Sequence, residues 1–262
     1  MITPSSIGSI NKLPKSEKRQ IYTRLIPKEL LDTYQISDTL YDKQGNDLIS
    51  MKCDPGTSTL ELSLYHQYGF IDPILYGHIT DTLTGYIHIL LYILNDPFSP
   101  RFDVDVMKDG TPTKFGILQR NVEAEISAMK SGLAPGQIRK GPHLLPAAIK
   151  AFEAFVESLG HDRYFAEPLY YHNAINFERY GFAYQIGRHL MERIQEGFSN
   201  PGDLLPLLNG SSPFRMPEAA NSIRLRSWAI HDGILGKPFT NVTMYKQIGK
   251  HAGFSTCQNC TW

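Results

Sequence analysis

Between Ser58 and Tyr65, Leu60, Leu62 and Leu64 alternate with Glu61 and Ser63, the two-residue period of a strand with one face in water. Leu48–Cys53 and Ile74–Thr80 predict neighbouring strands. Tyr86–Leu94 is apolar with no alternation, which predicts a central strand covered on both faces and ended by the Asn95-Asp96-Pro97 turn. Arg101–Val106 predicts a further strand, and the sheet reads as mostly sequential and antiparallel. From Ile117 the period lengthens to that of a helix, with Val122, Ile126, Met129 and Leu133 on its buried face. A second helix buries Leu145, Ala148, Ile149, Phe152, Phe155, Val156 and Leu159 and stops at Gly160. A short strand at Arg163–Glu167, a short helix at His172–Tyr180 and helices at Arg188–Glu196 and Ile223–Ile230 follow. Pro27 predicts a short helix start in an otherwise lightly apolar N-terminal arm.

Residues 1–46 thus form an arm, 47–187 an α+β core with a mixed, mainly antiparallel sheet flanked by helices, and 188–262 a helical C-terminal extension, together one structural domain. Lys+Arg and Asp+Glu both number 26, so no net field draws in nucleic acid. The longest apolar run, Ile87–Leu94, carries His88 and Tyr92 and is far shorter than the roughly 20 residues of a membrane span. Cys53, Cys257 and Cys260 are too few for a secreted disulfide framework and point to the cytoplasm. Cys257-Gln258-Asn259-Cys260 has redox or half-zinc spacing but no second pair, and reads as incidental.

The densest chemical signal is the basic loop Gly136-Gln137-Ile138-Arg139-Lys140-Gly141 ahead of a helix, where unpaired N–H groups and the helix dipole favour phosphate. With strands before it, a helix and strand after it, and Tyr180-Gly181-Phe182 closing the next helix, residues 101–182 resemble the GNAT family of acyl-CoA-dependent N-acyltransferases. In that family a loop of the type Arg/Gln-x-x-Gly-x-Gly/Ala takes the pyrophosphate. Here Gln137, Arg139, Lys140 and Gly141 match it, with His143 at its second small position. A later motif matches at Phe177, Glu178, Gly181 and Phe182; the family's tyrosine falls on Phe177 and its asparagine on Tyr170. The resemblance implies a GNAT-like fold, acetyl-CoA or another acyl-CoA as donor, and a small amine as acceptor. Gln137, Arg139, Lys140 and Gly141 would hold the donor, Glu167 or His172 would deprotonate the acceptor, and Tyr180 would protonate the thiolate. Residues 188–262 would cap the acceptor pocket or form a homodimer face.

A different reading takes Glu167, His172, Glu178 and His231 as a mixed N/O site for zinc or ferrous iron, with no CoA. A third keeps the fold as a noncatalytic binding module, which a phenylalanine at 177 favours. Asp103 and Asp105 share one face of the expected strand, a geometry that suits cations. Ser227, His231 and Asp232 are too close in sequence for a hydrolytic triad, and no Gly-x-Ser-x-Gly elbow exists.

Overall fold

The β2 strand (Thr59–Leu64) shows how the sheet is built: Leu60, Leu62 and Leu64 are buried while the residues between them are not. A computed structural model describes residues 4–113 and 119–262. In it β1 (Ile49–Lys52), β2, β3 (Leu75–Asp81) and β4 (Ile87–Leu94) form an antiparallel meander, and β5 (Arg163–Ala166) lies parallel to β4. With β6 (Ala183–Ile186) and β7 (Thr243–Gln247) the sheet runs β1-β2-β3-β4-β5-β7-β6. Eight helices accompany it among the described residues: α1 (Ile7–Ile10), α2 (Lys15–Tyr22), α3 (Lys28–Thr33), α4 (Val122–Lys130), α5 (Leu145–Ser158), α6 (Tyr171–Arg179), α7 (Arg188–Phe198) and α8 (Ile223–His231). The architecture is α+β with a mostly antiparallel open sheet.

The chain divides into two units of noncontiguous segments. The first holds residues 1–98, 141–167 and 245–250. One sheet face carries Leu60, Leu62, Leu64, Leu75, Ile79 and Ile87 and is buried. Helix α5 packs on β5 there, with Phe152 against Tyr164 at 4.8 Å between ring centroids. The N-terminal arm joins this core: Ile7, Ile10, Tyr22 and Leu30 are fully buried, and Asp81 accepts from Ile7 and Gly8 N–H at 2.8 Å each. On the other face the register aligns Glu61, His78 and Leu91 in one row and Thr80, His88 and Phe165 in the next. Strand β4 is central, yet only Ile87 is buried along it; the rest are half-buried, so the expected two-sided cover is incomplete.

The second unit holds residues 99–140, 168–244 and 251–262. Trp228 on α8 is its centre, stacked on Phe214 at 5.2 Å and donating from Nε1 to the Leu133 carbonyl at 2.8 Å. Val104, Ala128 and Leu133 complete that cluster.

Three local expectations are corrected here. Residues 101–106 contain no strand, because Arg101 ties Asp103 and Asp105 together and Val104 N–H folds back to the Phe102 carbonyl at 2.8 Å. Helix α4 is rotated from its apolar stripe: Val122 is exposed while Glu125 is buried, since Arg120 pairs with that carboxylate and His231 bonds it. The tail contains β7, with Met244 and Lys246 as its inward residues. Ile117, the expected start of the first long helix, lies outside the described residues.

Candidate active site

Strands β4 and β5 share only two residue pairs, His88 with Phe165 and Ile89 with Ala166. The last rung is Glu167 N–H donating to the Ile89 carbonyl at 3.2 Å. Strand β5 then ends, and Pro168 has no N–H to continue the ladder. Strand β4 runs on from Leu90 to Leu94, so its β5-side edge outlasts its partner. A bulge lies at the same point: His78 pairs with Leu91 and Ile79 with Ile89, which leaves Leu90 opposite no residue of β3.

Two titratable side chains sit where the strands part. His88 Nε2 lies 3.8 Å from Glu167 Oε1, and that nitrogen is buried with no hydrogen-bond partner among the described residues. Burial pulls the His88 imidazole below its ordinary value, against the upward pull of Glu167. At neutral pH the ring is therefore uncharged. Glu167, beside it, is exposed.

The far end of the β4 edge meets Gly141, where an added Cβ would sit 3.5 Å from the Leu94 carbonyl. Three residues on, Leu144 precedes α5 and offers no side-chain cap to its first-turn N–H groups. His143, with φ of 60°, is exposed in the turn between.

The remaining expected site residues belong to the second unit, where Gln137, Arg139, His172, Glu178 and His231 are held by protein partners. Gln137 Oε1 accepts from Ala134 N–H at 2.7 Å, and the buried Arg139 guanidinium donates to the Ser99 carbonyl. Lys140 N–H donates to Ser99 Oγ at 3.2 Å while its side chain is exposed. Gly136 has φ of 79° and would place a Cβ 2.5 Å from the Tyr170 ring, so only glycine fits beneath that ring. Tyr180 caps α6, and Phe177 stacks on Phe182 at 4.7 Å.

The histidines and Glu178 fall into separate clusters. His172 is fully enclosed, its Nδ1 2.9 Å from Ser227 Oγ. Asn173 Oδ1 accepts from Tyr170 N–H, which turns Asn173 Nδ2 to donate to His172 Nε2 at 3.2 Å. The ring is thereby the Nδ1–H tautomer, and burial pushes its pKa down to about 3. Glu178 accepts from Tyr184 OH, from Thr256 N–H and from Thr256 Oγ1, the last two at 2.8 Å. His231 Nε2 bonds Glu125 Oε1 at 3.0 Å, in a network where Arg120 joins Glu125 to Asp232 and Arg215 donates to Asp232 at 2.9 Å. Burial would raise the Glu125 carboxyl, but His231 and Arg120 outweigh it and hold it below the usual carboxylate range. Among the described residues no group of three or more His, Cys, Asp or Glu is placed to hold a metal ion.

His88 was the residue that sequence reasoning passed over, although an imidazole in an otherwise apolar central strand is itself the signal. No family model, curated protein or solved structure matches this chain.

Proposed function

We propose that the protein transfers an acyl group from a CoA thioester to a small amine, with the donor laid along the open edge of β4. The observation that carries this reading is the parallel β4–β5 pair that ends after two rungs while β4 continues to Leu94. A strand edge beside a half-buried apolar surface suits an extended ligand with amides of its own, which the pantetheine arm of CoA has. From His88 to Leu94 the edge spans roughly 20 Å at about 3.3 Å per residue, a length of the order of that arm. At its end lie Gly141 and the uncapped start of α5, where the N–H groups of Leu145 and Ala147, on either side of Pro146, favour a diphosphate. The GNAT-like order of elements supports the same donor.

The thioester then lies beside His88 and the bulge at Leu90. His88 Nε2 takes the proton of the attacking amine and Glu167 stabilises the imidazolium that forms. A β4 backbone N–H on the β5 side beyond the last rung steadies the carbonyl oxygen as the amine adds to its carbon. The C–S bond breaks and CoA leaves as a thiolate, which needs little help from an acid because a thiol has a pKa of about 8.5. That explains how the chemistry proceeds with Phe177 where the family has tyrosine. Gln137 and Arg139 serve the loop itself, and phosphate recognition falls to backbone N–H groups after Lys140.

Calorimetric titration with acetyl-CoA tests the donor site, and release of free thiol in the presence of an amine panel tests transfer. Saturation at 100 times the dissociation constant would raise stability by about 2.7 kcal/mol. Gly141→Val, which pushes a branched side chain toward the Leu94 carbonyl, is expected to abolish binding while leaving the fold intact. Absence of binding by the native chain ends the proposal.

A further inference from the structure

The second unit contains a cleft of about 620 Å³ that the acyl-transfer reading does not use. Its walls come from the end of α7 (Gln195, Phe198, Ser199), from Asn200 and Asn221, and from the tail around Thr256 and Asn259. The lining is amide and hydroxyl groups with two apolar patches, Phe198 and Leu205; it includes no carboxylate and one formal charge, that of Arg226. Arg226 is 2% exposed.

The partners of that guanidinium are all neutral. Nε donates to the Ala220 carbonyl at 2.9 Å, joined there by Nη2; Nη1 faces Gln195 Oε1 at 2.7 Å, Cys257 Sγ at 3.0 Å and Tyr171 OH at 3.4 Å. The cation also lies over the Phe198 ring, 4.9 Å from its centroid. Burying a charge among neutral groups is unfavourable unless an opposite charge joins it, and arginine cannot lose its proton to escape. Among the described residues four of its five N–H donors are committed to neutral protein groups, which leaves one Nη2 hydrogen of a cation with no directly bonded carboxylate in the lining of a small-molecule-sized cleft.

From this we infer that the cleft is a binding site for a small hydroxylated monocarboxylate, its carboxylate compensating Arg226 and its hydroxyls meeting the amides of Gln195, Asn200 and Asn221. A single buried cation, with no lysine beside it among the described residues, matches one negative charge rather than a phosphate dianion. Phe198 and Leu205 accommodate the carbon chain. The site is independent of the acyl-transfer proposal, and either can fail without the other.

The test is calorimetric titration of the full chain with gluconate, with glucose as the neutral analogue and inorganic phosphate as the dianion. Gluconate is expected to bind at millimolar concentration or better, at least tenfold more tightly than either. Asn221→Asp places a carboxylate on the exposed rim of the cleft without touching the core and should weaken gluconate at least tenfold; Arg226→Gln should do the same. Because Arg226 also ties the tail down, its loss can unfold the chain, and Asn221→Asp then decides alone. Glucose or phosphate binding as well as gluconate, Asn221→Asp binding it unchanged, or no heat from gluconate at tens of millimolar would each overturn the inference.

Discussion

Two histidines are kept neutral by burial, and the consequences differ with their surroundings. His172 is satisfied on both nitrogens as a neutral ring, so protonating it breaks the bond from Asn173 and buries a charge. Its folded pKa of about 3 lies below the unfolded value of about 6.5. The unfolded chain therefore binds more protons in between; the contribution is complete above pH 6.5 and shrinks as pH falls toward 3. Urea titrations are expected to show a loss from this residue of roughly 4 kcal/mol by pH 3. Glu125, whose folded pKa is depressed, adds its own loss only below its ordinary range of about 4.5. A decline that begins near pH 6 and vanishes in His172→Gln belongs to the imidazole; a decline confined to below pH 5 would refute it. His88, in contrast, has a nitrogen without a partner, the condition for accepting a substrate proton. His88→Gln is expected to lower kcat by 10²- to 10⁴-fold with little change in acetyl-CoA affinity. Glu167→Gln removes the influence that raises the His88 pKa, so the acid limb of the rate profile should move to lower pH. An unmoved limb would assign the base elsewhere.

At the scale of elements, α5 shows a conflict between stability and the proposed ligand. Its fourteen residues begin without a side-chain cap, although an acidic residue there would favour the helix by about 0.3–1 kcal/mol. Leu144→Asp is accordingly expected to raise the unfolding midpoint and to weaken acetyl-CoA at least tenfold by repelling the diphosphate. Unchanged affinity would move the phosphates away from this turn. The same helix was legible from its apolar spacing, since Ala148, Phe152, Phe155, Val156 and Leu159 are buried, while Leu145 and Ile149 of the expected face are half-buried. So was β2, whose alternation needs no knowledge of distant residues. Legibility failed where a charge is buried by a remote partner. Glu125 lies off the apolar stripe of its helix until Arg120 and His231 are brought to it, and Lys246 falls in the expected helical extension until its ammonium meets the Lys250 carbonyl and lies 3.7 Å from Glu153. The proposed site failed for a related reason: the 163–167 strand was readable, but that it ends two rungs into its pairing with β4 is a fact of register, invisible in either segment alone.

For the whole molecule, the chain crosses between its two units at five points, after residues 98, 140, 167, 244 and 250. A protein ending at Gly187 keeps every residue of the proposed donor site, and by sequence pattern it looks like a complete α+β core. It nonetheless loses β7, which stands between β5 and β6 in the sheet order. In the second unit it loses Trp228, fully buried against Phe214, and leaves Val104, Ala128 and Leu133 without cover. It also strips His231 and Asp232 from the Glu125–Arg120 pair, and removing one partner of a buried ionic group costs about 3–5 kcal/mol. Set against a total stability of about 5–15 kcal/mol, these losses are enough to abolish cooperative folding. Residues 1–187 are therefore expected to keep far-ultraviolet helical signal, to bind a hydrophobic dye and to melt without a sharp transition. A sharp transition together with native acetyl-CoA affinity would show instead that residues 188–262 are dispensable, and that the β4 edge and α5 start need only the strands and arm of the first unit to hold them.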